Sequence, residues 1–188
     1  MSGFTTHTLD TVSAEGRETL EQVKAAYGFV PNLLANLVES PAAAQAYLSI
    51  GKLYGETSFS ETERQVVLLA VSRFNECEYC MAAHSAIAEM GKVPAEVVEA
   101  LRNDRPLADP RLETLRKFAT RVVKQRGWLN DEELNEFLAA GYTRQNVIEV
   151  LLGVTLKTLS NYTNHIAGTP LDAAFSAKAW QAPSSDAA

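Results

Sequence analysis

Cysteine is nearly absent from this sequence. Its 188 residues hold two, Cys77 and Cys80, three positions apart. A chain of this length buries roughly 70% of its unfolded surface and needs no covalent staple. The pair is therefore not a disulfide framework, and the pattern points to redox chemistry or metal binding. Positive charge is also in deficit: 17 lysines and arginines stand against 23 aspartates and glutamates, a net charge of −6. That balance argues against nucleic acid and anionic membranes as partners. Long hydrophobic runs are missing. The longest nearly apolar stretch, Val147 to Leu156, is interrupted by Glu149 and is too short to span a bilayer. The first residues carry Asp10 and no apolar signal core, so a soluble, cytoplasmic protein is expected. Sustained apolar–polar alternation is lacking too, and no hairpin dipeptide joins two apolar runs. The fold expected is all-α, in one domain or two small halves sharing a core.

Helix starts and stops can be read along the chain. Residues 1–12 read as a loose arm, 13–172 as a helical domain and 173–188 as a tail with one or two more turns before Pro183-Ser184-Ser185 frays. Ser13 caps a helix to about Tyr27, which Gly28 stops. Pro31 opens a short helix through Val38, and Ser40-Pro41 starts another to about Tyr54. Ser60 and Glu63 form a capping box for a helix from Glu61 to Phe74, whose centre, Val66 to Val71, is apolar all round. Asn75 and Glu78 read as a second box, opening the helix that carries both cysteines and ends at Gly91. Further helices run from Pro94 to about Arg102, from Asp109-Pro110 to Gly127, from Asn130 to Gly141, and from Thr143 to about Ile166. A shift of 81 positions lays Gln65 over Asn146, Cys80 over Asn161 and His84 over His165. This suggests two pseudo-repeat halves, about 40–102 and 110–168; the alternative is that all buried helices look alike.

The stretch Cys77-Glu78-Tyr79-Cys80-Met81-Ala82-Ala83-His84 carries the chemistry. At about 100° per residue, spacings of three and four place both sulfurs and the imidazole on one helical stripe. Cys77 is expected in the first turn, where the helix dipole favours a thiolate by roughly 0.3–1 kcal/mol. Glu76 and Glu78 oppose it, which leaves the thiol near its free value of ~8.5. Another group must activate a sulfur, and His84, one turn below Cys80, is the base expected. Other readings stay open. The cysteines can be small core residues, or zinc ligands with His165 as the fourth donor. His84 can be a satisfied structural histidine, His165 can simply complement a helix C-terminus, and Tyr79 can line a pocket or merely pack.

The run Glu63-Arg64-Gln65-Val66-Val67-Leu68-Leu69-Ala70-Val71-Ser72, then Cys77-Glu78-Tyr79-Cys80 and Ala83-His84, resembles the AhpD-like alkylhydroperoxidases of the carboxymuconolactone decarboxylase superfamily. The ending Leu159-Ser160-Asn161-Tyr162-Thr163-Asn164-His165 is similar to their peroxidase-related branch. The resemblance covers roughly residues 30 to 172. It implies an all-helical fold, a homo-oligomer and thiol-dependent reduction of a peroxide substrate, with no cofactor and no metal. Cys80 would attack and become a sulfenic acid, Cys77 would close the disulfide, and His84 would serve the proton relay. It also implies an external dithiol reductant, a lipoyl-bearing protein in AhpD itself, and a peroxiredoxin partner. Two positions depart from the pattern: Gln65 stands where a glutamate orients the histidine, and Tyr79 replaces a second histidine. Glu63 lies about 200° away from Gln65 around the helix and is a poor substitute. Gln65 is expected to hydrogen-bond His84 without compensating an imidazolium. The expectation is slow peroxide turnover that rises at alkaline pH, unless another carboxylate such as Glu149 fills the role. His165, Asn161 and Tyr79 are further candidates for relay or pocket. A non-enzymatic redox sensor or adaptor, and a carboxymuconolactone decarboxylase-like enzyme that does not use the cysteines, are the competing functions.

Overall fold

The computed structural model describes residues 3–183, among which there is no β-strand. Nine α-helices follow in order: α1 (Ala14–Tyr27), α2 (Asn32–Leu37), α3 (Pro41–Gly55), α4 (Glu61–Phe74), α5 (Glu78–Met90), α6 (Ala95–Arg102), α7 (Pro110–Lys124), α8 (Asp131–Ala139) and α9 (Arg144–Ala167). A short 3₁₀ segment, Ala173–Lys178, ends the run. Most starts fall where the side chains place them. Capping boxes form at Ser60/Glu63, Asn130/Glu133 and Thr143/Asn146, each closing two unpaired N–H groups. Asp109 accepts from the backbone of Arg111 and Leu112 ahead of Pro110.

The cysteine helix starts differently from the sequence expectation. Asn75 is the C-cap of α4, not the N-cap of α5. Its N–H returns to Val71 and the N–H of Cys77 to Ser72, so the end of α4 claims the residue first. Glu76 takes a left-handed turn (φ 54°), and Cys77 becomes the N-cap, with no side-chain capping bond. Gly91 is not left-handed either (φ −76°); Lys92 takes that conformation at φ 57°. Gly91 is small for another reason: a Cβ there would lie 3.0 Å from Cγ and 3.2 Å from Oε1 of Glu61.

Helix α4 is central, buried along its Val66–Val71 stretch and packed against α5, α6, α7 and α9. One core joins these helices, with Phe118, Phe137 and Tyr142 stacked at 3.9 and 4.5 Å. A second apolar cluster joins α1 and α2 to Cys77, Tyr79, Cys80 and Phe175. Helix α9 crosses close to α3 and α4 at Gly153, where a Cβ would meet Tyr54 and Val67 at 2.9 Å. Two segments read as peripheral are held. The arm is tied by the His7 N–H to the Ala35 carbonyl and by the His7 ring to Glu39 at 2.7 Å. In the tail, Phe175 is buried, Arg102 donates to the carbonyls of Lys178 and Ala179, and Trp180 donates to the Arg102 carbonyl. Ser184 and Ser185 lie outside the described residues. The two halves of the pseudo-repeat differ: α9 runs unbroken where the first half breaks between α4 and α5, and His84 is buried while His165 is exposed.

Candidate active site

The site forms where α5 crosses α9. Cys77 at the start of α5, Cys80 in its first turn and His84 one turn later are all buried. From α9, Lys157, Ser160, Asn161 and Asn164 recur at three- and four-residue spacing and present one polar face inside an otherwise apolar contact. Lys157 is fully buried, at 0% exposure. Its ammonium lies 2.7 Å from Nε2 of His84 and 3.7 Å from Sγ of Cys80. Among the described residues no carboxylate pairs with it. The Asn164 amide donates to Cys80 at 3.3 Å and to Cys77 at 3.6 Å, and the Ser160 hydroxyl stands 3.7 Å from the Cys80 sulfur.

Lys157 thus stands between His84 and Cys80, bonded to both. The His84 Nδ1 faces the Gln65 Oε1 at 3.1 Å, and Gln65 in turn donates through Nε2 to Glu61 at 2.9 Å. With its amide N–H committed to Glu61, Gln65 offers an oxygen to the ring. The proton belongs on Nδ1, and the free lone pair of Nε2 accepts from Lys157. Burial and then the Lys157 charge hold the imidazole well below its ordinary pKa, so the ring is neutral at pH 7.

The two sulfurs are driven apart electrostatically. Burial raises a thiol, but at Cys80 it is outweighed by the hydrogen bond from Cys77, by the ammonium of Lys157, and by Ser160 and Asn161, which together lower it to about 5. Cys77 moves up instead, because it holds the shared proton and is itself buried. The directions of the two shifts favour Cys80 over Cys77 as the sulfur that ionises first. The charge beside Cys80 is that of Lys157 rather than of His84, and Cys77, the N-cap of α5, is lowered by the Cys80 backbone N–H without reversing its rise.

A cavity of about 700 Å³ opens against Cys80, His84 and Lys157, walled by Phe29, Leu33, Tyr47, Met90 and Phe175. Tyr79 lines it as well. Its hydroxyl donates to Asp172 at 2.5 Å and accepts from the Leu33 N–H, and burial followed by the Asp172 bond raises it further above the ordinary phenol range. Tyr79 thus pins the post-α9 segment to α2 and shapes the wall without reaching the sulfurs. Asn161 accepts from Asn75 at 2.9 Å and donates to Ser72. Glu149 is not in the site. It accepts from Ser58, Gln145 and Asn146, two turns of α9 away from Lys157. His165 points to solvent, one residue past Asn164, so the zinc arrangement that needs it is not formed. Among the described residues no cluster of three His, Cys, Asp or Glu side chains could hold a metal, and no helix is long and apolar enough to cross a membrane. The sequence reading missed Lys157 and Asn164. A single lysine in the middle of a buried apolar helix was the available signal.

Residues 41–121 match the model of the carboxymuconolactone decarboxylase family. No curated protein matches the sequence. Among solved structures, an uncharacterized peroxidase-related protein from Ralstonia eutropha JMP134, described as an alkylhydroperoxidase AhpD core, superposes with TM-score 0.80 at 22% identity, over 92% of this chain and 93% of its own. A peroxidase-related protein from Silicibacter sp. TM1040 gives 0.76 at 20%, over 92% and 94%. A cysteine-to-alanine variant of the debrominase Bmp8, in complex with 2,3,4-tribromopyrrole, gives 0.73 at 18%, over 88% and 89%. The likeness to these structures is one of fold.

Proposed function

Given an AhpD-like fold and a match to the carboxymuconolactone decarboxylase family, we propose that the chain is a thiol-dependent peroxide reductase. The carrying observation is the Lys157 ammonium, buried beside the Cys80 sulfur at the wall of an apolar cavity. Cys80 thiolate attacks the outer oxygen of an organic hydroperoxide. The O–O bond breaks, Cys80 becomes a sulfenic acid, and the departing alkoxide takes a proton from Lys157. The Cys77 thiol then attacks the Cys80 sulfur; water leaves and the disulfide closes. An external dithiol, such as a lipoyl group on a partner protein, reduces the pair and returns the protons.

Steady-state loss of cumene hydroperoxide with a regenerating dithiol tests this. Turnover is expected, with a sulfenic acid trapped at Cys80 in Cys77→Ser. One oxidation per chain without turnover would instead favour a sensor, and peroxide loss that survives Cys80→Ser would overturn the thiol mechanism.

A second reading is favoured by the aromatic wall of the cavity and by the debrominase of like fold. Cys80 thiolate would take bromine from an aromatic C–Br bond as a sulfenyl bromide, the ring carbon would take a proton from Lys157, and Cys77 would expel bromide as the disulfide forms. Bromide release from a bromopyrrole separates it from peroxide reduction.

A further inference from the structure

The hydrogen-bonded line that begins at Cys80 does not stop at His84. It runs from Lys157 to His84, from His84 to Gln65 at 3.1 Å, and from Gln65 to Oε1 of Glu61 at 2.9 Å. Glu61 sits one turn before Gln65 on α4, on the same face. Its other oxygen takes both Nε and a terminal N–H of Arg64, at 3.2 and 3.0 Å. The carboxylate is thus fixed in rotation, with one oxygen assigned to each partner. Gly91 makes room for it, since any Cβ would press on Cγ and Oε1. A second cavity, of about 350 Å³, reaches His84 from this side and is lined by Glu61, Arg64 and Gln65.

We propose that Glu61 is a positioning residue for the thiol site: it dictates which end of the Gln65 amide faces His84, and through it the tautomer of His84 and the seat of the Lys157 ammonium. An amide is symmetrical in shape and opposite in hydrogen bonding at its two ends. Only an acceptor at position 61 turns the NH₂ outward and leaves the oxygen for Nδ1–H. A donor there would rotate the amide, move the ring proton to Nε2 and set it against the Lys157 N–H groups. The ammonium would then lose its acceptor and move off the sulfur.

The inference rests on Cys80 being the reactive thiolate, but its test needs no peroxide. The titratable and polar groups around His84 and the sulfur are Lys157 from α9, Cys77 at the N-cap of α5 with Tyr79, Cys80 and Glu89 from α5, Gln65, Glu61 and Arg64 from α4, Tyr47, Lys52 and Tyr54 from α3 and Tyr27 from α1. The readouts are the His84 tautomer, from side-chain ¹⁵N NMR of the full chain, and the rate of Cys80 alkylation by iodoacetamide at pH 6. Wild type should carry its proton on Nδ1. Glu61→Lys should move it to Nε2 and slow alkylation about tenfold, which at pH 6 corresponds to a thiol raised from about 5 to ~7. Glu61→Lys with Gln65→Glu should restore both, because a carboxylate at 65 accepts from either side; a merely structural role for Glu61 predicts no rescue. Gly91→Ala, which crowds the carboxylate without altering a polar group, should move both readouts the same way by less, and decides the matter if Glu61→Lys does not fold. A wild-type proton on Nε2, or variants matching wild type in both readouts, overturns the proposal. Loss of peroxide turnover in a protein that passes these tests overturns only the peroxidase reading.

Discussion

A buried ammonium without a counter-charge costs several kcal/mol, and at Lys157 the nearest atom able to carry that charge is the Cys80 sulfur. The pH dependence follows in sign. A thiol whose pKa is lowered to about 5 is ionised above that value and is lost as pH falls through it. Alkylation and peroxide oxidation of Cys80 should therefore be flat from about pH 6 to 8 and fall below about 5. The alkaline rise expected from Gln65 alone should be absent, because ionisation does not wait on His84. In Lys157→Met, burial is left unopposed by the cation and the thiol returns at least to its free value of ~8.5, so alkylation at pH 7 should drop by roughly 30-fold. A wild-type rate climbing tenfold between pH 7 and 8 would contradict the assignment. The cysteine pair, His84 and Gln65 were legible because they lie on two neighbouring helices at regular spacings. Lys157 was not, because its partner is 77 positions away and nothing local announces it. Asn164 was missed by one residue in favour of His165, a rotation of about 100° that turns a sulfur ligand into a solvated side chain. Glu61, one turn before Gln65, was not legible as its partner, because nothing in the sequence sets it apart from Glu63 or Glu149.

The helices repeat this lesson in another form. Where a start is set by its own side chains, as at Ser60/Glu63, Asn130/Glu133 and Thr143/Asn146, it can be read directly. Between α4 and α5 one residue could serve either the end of one helix or the start of the next, and the tertiary partner decided: Asn75 bonds Asn161 on α9. The position of α9 relative to the rest depends on Gly153, which no local pattern flags. Its replacement by alanine gains about 1 kcal/mol of helix propensity but forces a methyl into Tyr54 and Val67 at 2.9 Å. Overpacking of this kind costs about 1–3 kcal/mol. Gly153→Ala should therefore lower the denaturation midpoint, and it should also slow Cys80 alkylation, because Lys157 is carried one turn further along the same helix. An unchanged midpoint would show that Tyr54 can swing aside.

At the scale of the whole molecule, α9 has two faces of unlike use. One holds the polar side chains of the site. The other leaves Ile148, Leu151, Tyr162 and Ile166 exposed along the helix. We propose that this stripe is covered by a second copy of the chain; light scattering at micromolar concentration should give a homo-oligomer, and charged substitutions at Ile148 and Ile166 should dissociate it. The seating of Lys157 has a consequence at this scale as well. Closing the disulfide removes the negative charge from Cys80, and once Lys157 has regained its proton from solvent the ammonium is buried and faces only neutral groups. The bond itself closes too short a loop to offset this by restricting the unfolded chain. The oxidised protein should consequently melt lower than the reduced one, by about 2–4 °C for each 1 kcal/mol of lost pairing. Lys157→Met should abolish the difference. The same free energy appears in the reduction potential: a dithiol stabilised by a neighbouring cation gives up its electrons reluctantly, by about 30 mV for each 1.4 kcal/mol. The reduced form should therefore be the favoured one, and a disulfide formed at this pair should be readily reduced.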